Sequence, residues 1–421
     1  MKSKFLAGVA GVLLIASCAS ASSAELRMSW WGGDSRHQAT QAALKVCGAK
    51  YGHTIKPEFT GFSGHLEKLT TQIAGGTEAD IMQVNWPWLP LFSLDGNGFL
   101  DLSSEADTLD LSNWSAGELN SATINGKLNG VPVSMTGRVF MFDETPYKKA
   151  GLSLPKSWDD LIADAPVFKQ KLGQDYFPLH ATGLNVVFLV SQIVAQKTGK
   201  DLIDPSTNKV AWSKDDLTFA IKFYGNLVEK GVLPTWKANA AEGNVELYET
   251  KKWATGHLGG SYEWDSTYFK YSDPMDKDQH LVPSKILKID GAVTEGAYKK
   301  PSMVFAISKH SKNPKAAAQI INCLLNEPEG IEALGATRGV PSSKAAKALL
   351  QEKGSIDPIL LQANKIVAES EGPTVSPFNE HPKVRAVFQD TLEEYAYGKI
   401  SAEDAADEII DGINDALYDF Q

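Results

Sequence analysis

Residues 71–88 read TQIAGGTEADIMQVNWPW. Leu66, Leu69 and Ile73 carry a helical spacing into this run, and Gly75-Gly76 predicts a left-handed helix stop. The apolar stretch at 79–84 then predicts a buried strand. Asn85, Trp86, Pro87 and Trp88 therefore fall just beyond the carboxyl end of a strand, which is where open α/β sheets bind ligands. Flat indole faces beside an amide suit a sugar ring, with its apolar C–H patches and rim of hydroxyls. The same indoles would equally fill a lobe's core, since tryptophan is buried on average.

Working outward, the run LRMSWW (26–31) predicts a strand ending at GGD (32–34). Ala39, Ala43, Val46 and Cys47 place a helix over 36–48, and 54–59 predicts the next strand. Strand, helix, strand, helix, strand by Val84 means a parallel sheet. Its far edge gathers Trp31 and Asp34, then Phe62, Ser63 and His65, then Asn85 and Trp86. Downstream, NGVPVSMTGR (129–138) leads into VFMFD (139–143) as a crossover between lobes, and PSMVFAI (301–307) is a second. Helices are predicted over 158–168, 186–198, 214–230 and 314–326, and the tail over 386–420 reads as helical and amphipathic. The loop GGSYEW (259–264) places two glycines where backbone passes close to another group, and presents Trp264 for stacking. No internal repeat is present.

The chain opens with Lys2 and Lys4, an apolar run over 5–16 and small residues over 17–24, the pattern of a secretory signal peptide. Cleavage after Ala21 or Ala24 would release a soluble product. The run IASC (15–18) would instead leave Cys18 as a lipidated terminus. Cleavage after Ala24 leaves 397 residues, natural for two α/β lobes, and moves the formal charge from −10 to −12. An acidic surface argues against nucleic acid and anionic lipid as partners. Cys47 and Cys323 would then be the remaining cysteines; that excludes a disulfide framework and leaves one bridge open.

No catalytic signature emerges. GFSGH (61–65) is one residue out of register for a nucleophile elbow. HExxH, Walker and GxGxxG patterns are missing, the histidines are scattered, and Asp273, Asp276 and Asp278 lack EF-hand spacing. No metal and no cofactor is expected. Paired carboxylates for glycoside hydrolysis carry no fixed spacing, but the short-strand repeats of pectin-active β-helices are missing.

Taken in order, the motifs GGTEADIMQVN (75–85), GVP (130–132) before Phe142-Asp143-Glu144, WDDL (158–161), GGS (259–261) with Trp264, Pro301-Ser302 and Asn313-Pro314 resemble family 1 extracellular solute-binding proteins of carbohydrate ABC transporters. The resemblance runs along essentially the whole mature chain. It implies an α/β, two-lobed periplasmic-binding-protein fold (venus-flytrap, type II) with crossing hinge strands. It also implies periplasmic monomers that hand an oligosaccharide to ABC permease subunits without catalysis. The expected organisation is a signal peptide at 1–24, an N-terminal lobe of 25–133 plus 301–340, and a C-terminal lobe of 134–300 plus 341–421. SWWGGDSRHQAT (29–40), TGFSGH (60–65), QVNWPW (83–88) and PTVSPFNEHPKVR (373–385) extend the likeness to receptors for galacturonate oligomers.

Residue chemistry supports an anionic sugar. A uronate carries one carboxylate per ring, the overall field is negative, and the arginine fork grips a carboxylate in two hydrogen bonds. The candidate ligand-binding set is Trp31, Arg36, His37, Ser63, His65, Asn85, Trp86, Arg138, His180, Trp264, Lys300, Ser302 and Arg338. Structural roles compete throughout: Arg36 and His37 would also decorate a helix, His65 and His180 would sit as buried neutral rings, and Arg138 would pair with an acid at the hinge. Asp34, Asp80, Glu263 and Asp265 keep open a receptor for neutral maltodextrin or xylo-oligosaccharide.

Overall fold

A computed structural model describes residues 23–418 except 205 and 244. The signal-peptide and Cys18 readings fall on residues 1–24 and lie outside the described residues except for 23 and 24. Ala24 belongs to the folded chain. It is 5% exposed, its carbonyl accepts from the Thr54 N–H at 2.9 Å, and its own N–H donates to His53 Nδ1 at 3.2 Å.

The expected alternation is present: β1 (Glu25–Trp31), α1 (Asp34–Tyr51), β2 (Thr54–Thr60), α2 (His65–Ala74) and β3 (Ile81–Asn85). Gly76 adopts the left-handed conformation, φ 61°, that stops α2. β1 pairs in parallel with both β2 and β3. All five β3 residues are buried, the pattern of a strand covered on both faces.

The crossover is one continuous strand, β4 (Val131–Asp143). Its second half pairs antiparallel with β5 (Gly260–Trp264) and β6 (Leu281–Ser284), and its first half with β7 (Lys299–Ile307). β7 also runs antiparallel to β3, so the order is β6-β4-β7-β3-β1-β2 with β5 added on β4. β4 thus ties the parallel unit to the downstream strands. Register shifts flank Met303, next to Pro301, which has no N–H to give the ladder.

Helices α3 (Leu184–Thr198), α4 (Lys214–Glu229), α5 (Pro314–Asn326), α6 (Pro328–Leu334), α7 (Pro358–Glu369), α8 (Pro382–Ala396) and α9 (Ala402–Tyr418) fill in around the sheet. The tail is helical as expected, in two helices packed on each other, because Gly398 at φ 70° turns the chain after α8. The paired glycines at 259 and 260 make room for core rings, not for ligand. A methyl at Gly259 would lie 2.9 Å from Phe168, and one at Gly260 2.4 Å from Phe142. Cys47 on α1 and Cys323 on α5 form a disulfide, Cα–Cα 5.8 Å. Gly330 of α6 lies against it: a methyl there would sit 2.1 Å from the Cys323 carbonyl and 2.9 Å from Cys47 Sγ.

Candidate ligand-binding cleft

The carboxyl ends of β1 and β3 carry an aromatic group. Trp31 lies 5.4 Å from Trp88, 5.8 Å from Phe62 and 5.2 Å from His65, ring centre to ring centre. Phe62 is 37% exposed, so part of this face reaches solvent. His65 is buried, with Nδ1 2.8 Å from Thr60 Oγ1 and Nε2 without a partner. Burial pushes its pKa down to about 4, which leaves a neutral ring with one buried polar nitrogen to offer.

Trp86, one of the expected sugar platforms, points elsewhere. It is 6% exposed and its indole N–H donates to the Ser121 carbonyl at 2.7 Å. Strand geometry explains His37: neighbouring residues alternate faces, and Trp30 faces away from Trp31. The Trp30 indole N–H reaches His37 Nδ1 at 3.1 Å, and Phe59 stacks on His37 at 4.4 Å, so His37 belongs to that outer group. Ser63 is exposed in the turn before α2.

Two of the expected cations are held by protein. Arg138 is 2% exposed; one Nη donates to Asn185 Oδ1 at 2.7 Å and to the Tyr262 carbonyl, and the other lies 3.6 Å from Glu263 Oε2. Phe188, Tyr262 and Trp264 surround its guanidinium at 4.7 to 5.1 Å. Lys300 Nζ sits 3.0 Å from Glu380 Oε1, 3.4 Å from Asn85 Oδ1 and 4.6 Å from the Trp264 ring. Burial lowers the Lys300 pKa and Glu380 opposes the shift. The Pro377–Glu380 segment that carries Glu380 packs on Trp86–Trp88 at the end of β3. Its other side is anchored by Asp201, which accepts from the Ser376 N–H at 2.8 Å and Asn379 Nδ2 at 2.7 Å.

Arg36 and Arg338 are different. Arg36 Nε donates to the Thr337 carbonyl at 3.0 Å, and Nη1 to the Trp31 carbonyl at 3.3 Å. Arg338 is 2% exposed; its Nε donates to Gln83 Oε1 at 2.8 Å, while Nη1 and Nη2 have no partner among the described residues. Desolvation brings Arg36 down to about 10 and Arg338 well below the usual range, with Arg36 adding repulsion to Arg338. No carboxylate offsets either shift. Lys270, which Arg36 also repels, completes a positive patch, although Glu246 and Glu263 partly compensate it.

His180 is buried with Nε2 3.2 Å from Asn239 Oδ1 and Nδ1 unpartnered; burial lowers its pKa to about 4. Ser302 is spent on the hinge: its hydroxyl meets Ser134 Oγ at 2.5 Å and donates to the Ser134 carbonyl at 3.1 Å. Among the acids, Asp265 accepts from Thr136, Gly137 and Asn364, and Asp80 from Arg27 and Ser311. Glu263 takes Asn185 and Arg138. Sequence reasoning did not single out Gln83, Lys270 or Glu380, and left Trp88 outside the candidate set. Strand alternation does not separate Trp88 from Trp86, which lie two residues apart in a turn beyond β3; nothing in the sequence marks the others. Among the described residues no group of three His, Cys, Asp or Glu side chains could hold a metal ion.

The family model described as bacterial extracellular solute-binding protein matches residues 34–331. A crystal structure of a periplasmic solute-binding protein from Pectobacterium atrosepticum is 40% identical, covering 94% of this chain and 99% of that one, with TM-score 0.90. A periplasmic oligogalacturonide-binding protein from Yersinia enterocolitica, solved with saturated digalacturonic acid, is 39% identical over 94% of this chain and 99% of that one, TM-score 0.91. A binding protein of Brucella abortus is 25% identical over 181 residues; the match spans 42% of this chain and 42% of that relative. The fold common to these structures is the two-lobed α/β fold expected from the sequence.

Proposed function

This chain belongs to the bacterial extracellular solute-binding proteins, and from that premise we propose that it captures oligogalacturonides in the periplasm and delivers them to an ABC permease. The observation that carries the reading is Arg338, 2% exposed with Nη1 and Nη2 unpartnered among the described residues, beside the half-buried Arg36, with no carboxylate among the described residues to offset either. A guanidinium does not escape burial by losing its proton at neutral pH. The empty site therefore carries an electrostatic cost that an anionic ligand removes. A uronate supplies that anion on a ring that the exposed Phe62, backed by the buried Trp31 and Trp88, and the half-buried Trp264 can cover. The identity of the Yersinia relative's ligand supports the same assignment.

The reading takes 25–133 with 301–340 as one lobe and 134–300 with 341–421 as the other. Ligand contacts from both favour closure of a molecule that already hinges at β4 and β7. It assigns export to the signal peptide, a monomeric state, and no turnover of the sugar. A neutral-sugar receptor would use cleft carboxylates against hydroxyls. Of the four acids that would serve it, Asp265, Asp80 and Glu263 are engaged by protein donors, which weighs against that alternative and leaves the exposed Asp34 at the start of α1.

Calorimetric titration with digalacturonate, trigalacturonate and maltotriose tests the proposal. Tight binding of the uronates alone, with intact sugar recovered, is the expected result. Binding of maltotriose alone would discard the galacturonate assignment, and recovery of cleaved sugar would discard the non-catalytic one.

A further inference from the structure

Gln83 is 0% exposed on β3, a strand otherwise filled by Ile81, Met82 and Val84 at 1% or less. A buried glutamine amide must be satisfied at both ends. Its Oε1 receives Arg338 Nε at 2.8 Å, and its Nε2 donates to the Trp31 carbonyl at 3.2 Å. The same carbonyl takes Arg36 Nη1, and Arg36 Nε bonds the carbonyl of Thr337, the residue before Arg338. Trp31, Arg36, Thr337, Arg338 and Gln83 therefore close a circuit. The Arg338 carbonyl accepts from Ser134 Oγ at 2.6 Å, and the Ser342 N–H donates to the Val133 carbonyl at 3.0 Å, which moors this loop to β4.

Arg338 Nη1 and Nη2, by contrast, are buried and have no hydrogen-bond partner among the described residues. Once Nε is taken by Gln83, these two terminal nitrogens present the symmetric end of the guanidinium, the edge that takes both oxygens of one carboxylate. We propose that Arg338 Nη1 and Nη2 form a preset subsite for a single carboxylate group, and that Gln83 is the positioning residue that fixes the fork by holding Nε. This rests on the uronate reading above and adds to it which donors grip a uronate carboxylate and what aims them. Preorganisation is the gain: an arginine already locked by its neighbours loses little side-chain freedom when the ligand arrives.

The test is calorimetry with digalacturonate on the wild type, R338K, Q83L and Q83E, alongside thermal melts of each free protein. R338K replaces a two-pronged donor with a point charge, and digalacturonate affinity falls at least 10-fold. Q83L keeps the volume and removes the acceptor, and affinity falls about 10-fold. Q83E places a carboxylate against Arg338. Its free form therefore melts above that of Q83L, because the buried guanidinium is now compensated, while its digalacturonate affinity drops below that of Q83L. A side chain needed only for packing cannot move stability and affinity in opposite directions in this way. Digalacturonate binding within threefold of wild type in both R338K and Q83L overturns the subsite. Q83E binding as well as Q83L overturns the positioning role. A wild type that binds no uronate at all defeats the uronate reading itself, whereas a wild type that binds uronate with indifferent variants defeats only the fork.

Discussion

Glu380→Gln separates two roles for Lys300 by the sign of its effect. Lys300 and Glu380 are 4% and 6% exposed at the side chain and 3.0 Å apart, and the segment bearing Glu380 packs on Trp86–Trp88. Removing one partner of a buried ion pair costs about 3–5 kcal/mol, because the other charge is left uncompensated. Deprotonation of Lys300 caps that cost. Neutralising an ordinary lysine at pH 7 costs about 5 kcal/mol, and burial has already moved Lys300 in that direction. A penalty of about 3 kcal/mol follows, roughly 100-fold in an equilibrium constant. If the pair is a clasp made only when the 376–381 loop meets the end of β3, the penalty falls on the closed form, and digalacturonate affinity drops by about that factor. If Lys300 instead waits for a ligand carboxylate, removing Glu380 frees it and uronate binding tightens. Calorimetry at pH 7 with melts of the free protein decides. Affinity unchanged or increased, with an unchanged melting temperature, would refute the clasp.

The Cys47–Cys323 bridge spans 276 residues of sequence, so its removal as the double serine variant should cost about 3–5 kcal/mol in denaturant unfolding through greater freedom of the unfolded chain; no difference between that variant and the oxidised protein would contradict this. His180, held neutral with its pKa lowered to about 4 from 6.5, binds fewer protons folded than unfolded between those values. Its contribution is complete above pH 6.5 and is lost as pH falls toward 4, by about 3 kcal/mol. His180→Gln should flatten the acid side of the stability–pH curve, and an unaltered slope would show that the ring is charged or solvated. Ala24 is built into the sheet's edge through Thr54 and His53, which favours cleavage after Ala21; intact mass of the exported protein should start at Ser22, and a mass starting at Glu25 would reverse that choice.

Fold and cleft edge were legible because they are written in local pattern. The glycine stop at 75–76, the apolar run at 79–84 and the aromatic ends of three strands each depend on near neighbours in sequence, and the structure reproduces them within a residue or two. The tail was legible as helical, but its break was not, because amphipathic spacing continues across Gly398 and one left-handed residue outweighs it. The disulfide was left open because α1 and α5 meet only through tertiary packing. The glycines at 259 and 260 were correctly seen to admit something close, but sequence does not say whether that is a ligand or, as here, Phe168 and Phe142.

What sequence could not distinguish is a cation with a partner from one without. Arg138, Lys300 and Arg338 look alike as basic residues beside loop glycines and prolines, yet Glu263 lies 125 and Glu380 lies 80 positions along from the first two. Those partners make Arg138 and Lys300 part of the scaffold; nothing comparable reaches Arg338. In a chain of formal charge −10 with 51 acidic residues, leaving the buried Arg338 guanidinium and its half-buried neighbour Arg36 without a carboxylate among the described residues is costly in the empty state, and an arriving anion relieves that cost. Arg36 and Arg338 therefore favour an anion because the fold keeps carboxylates away from them, more than because basic residues are numerous near the cleft.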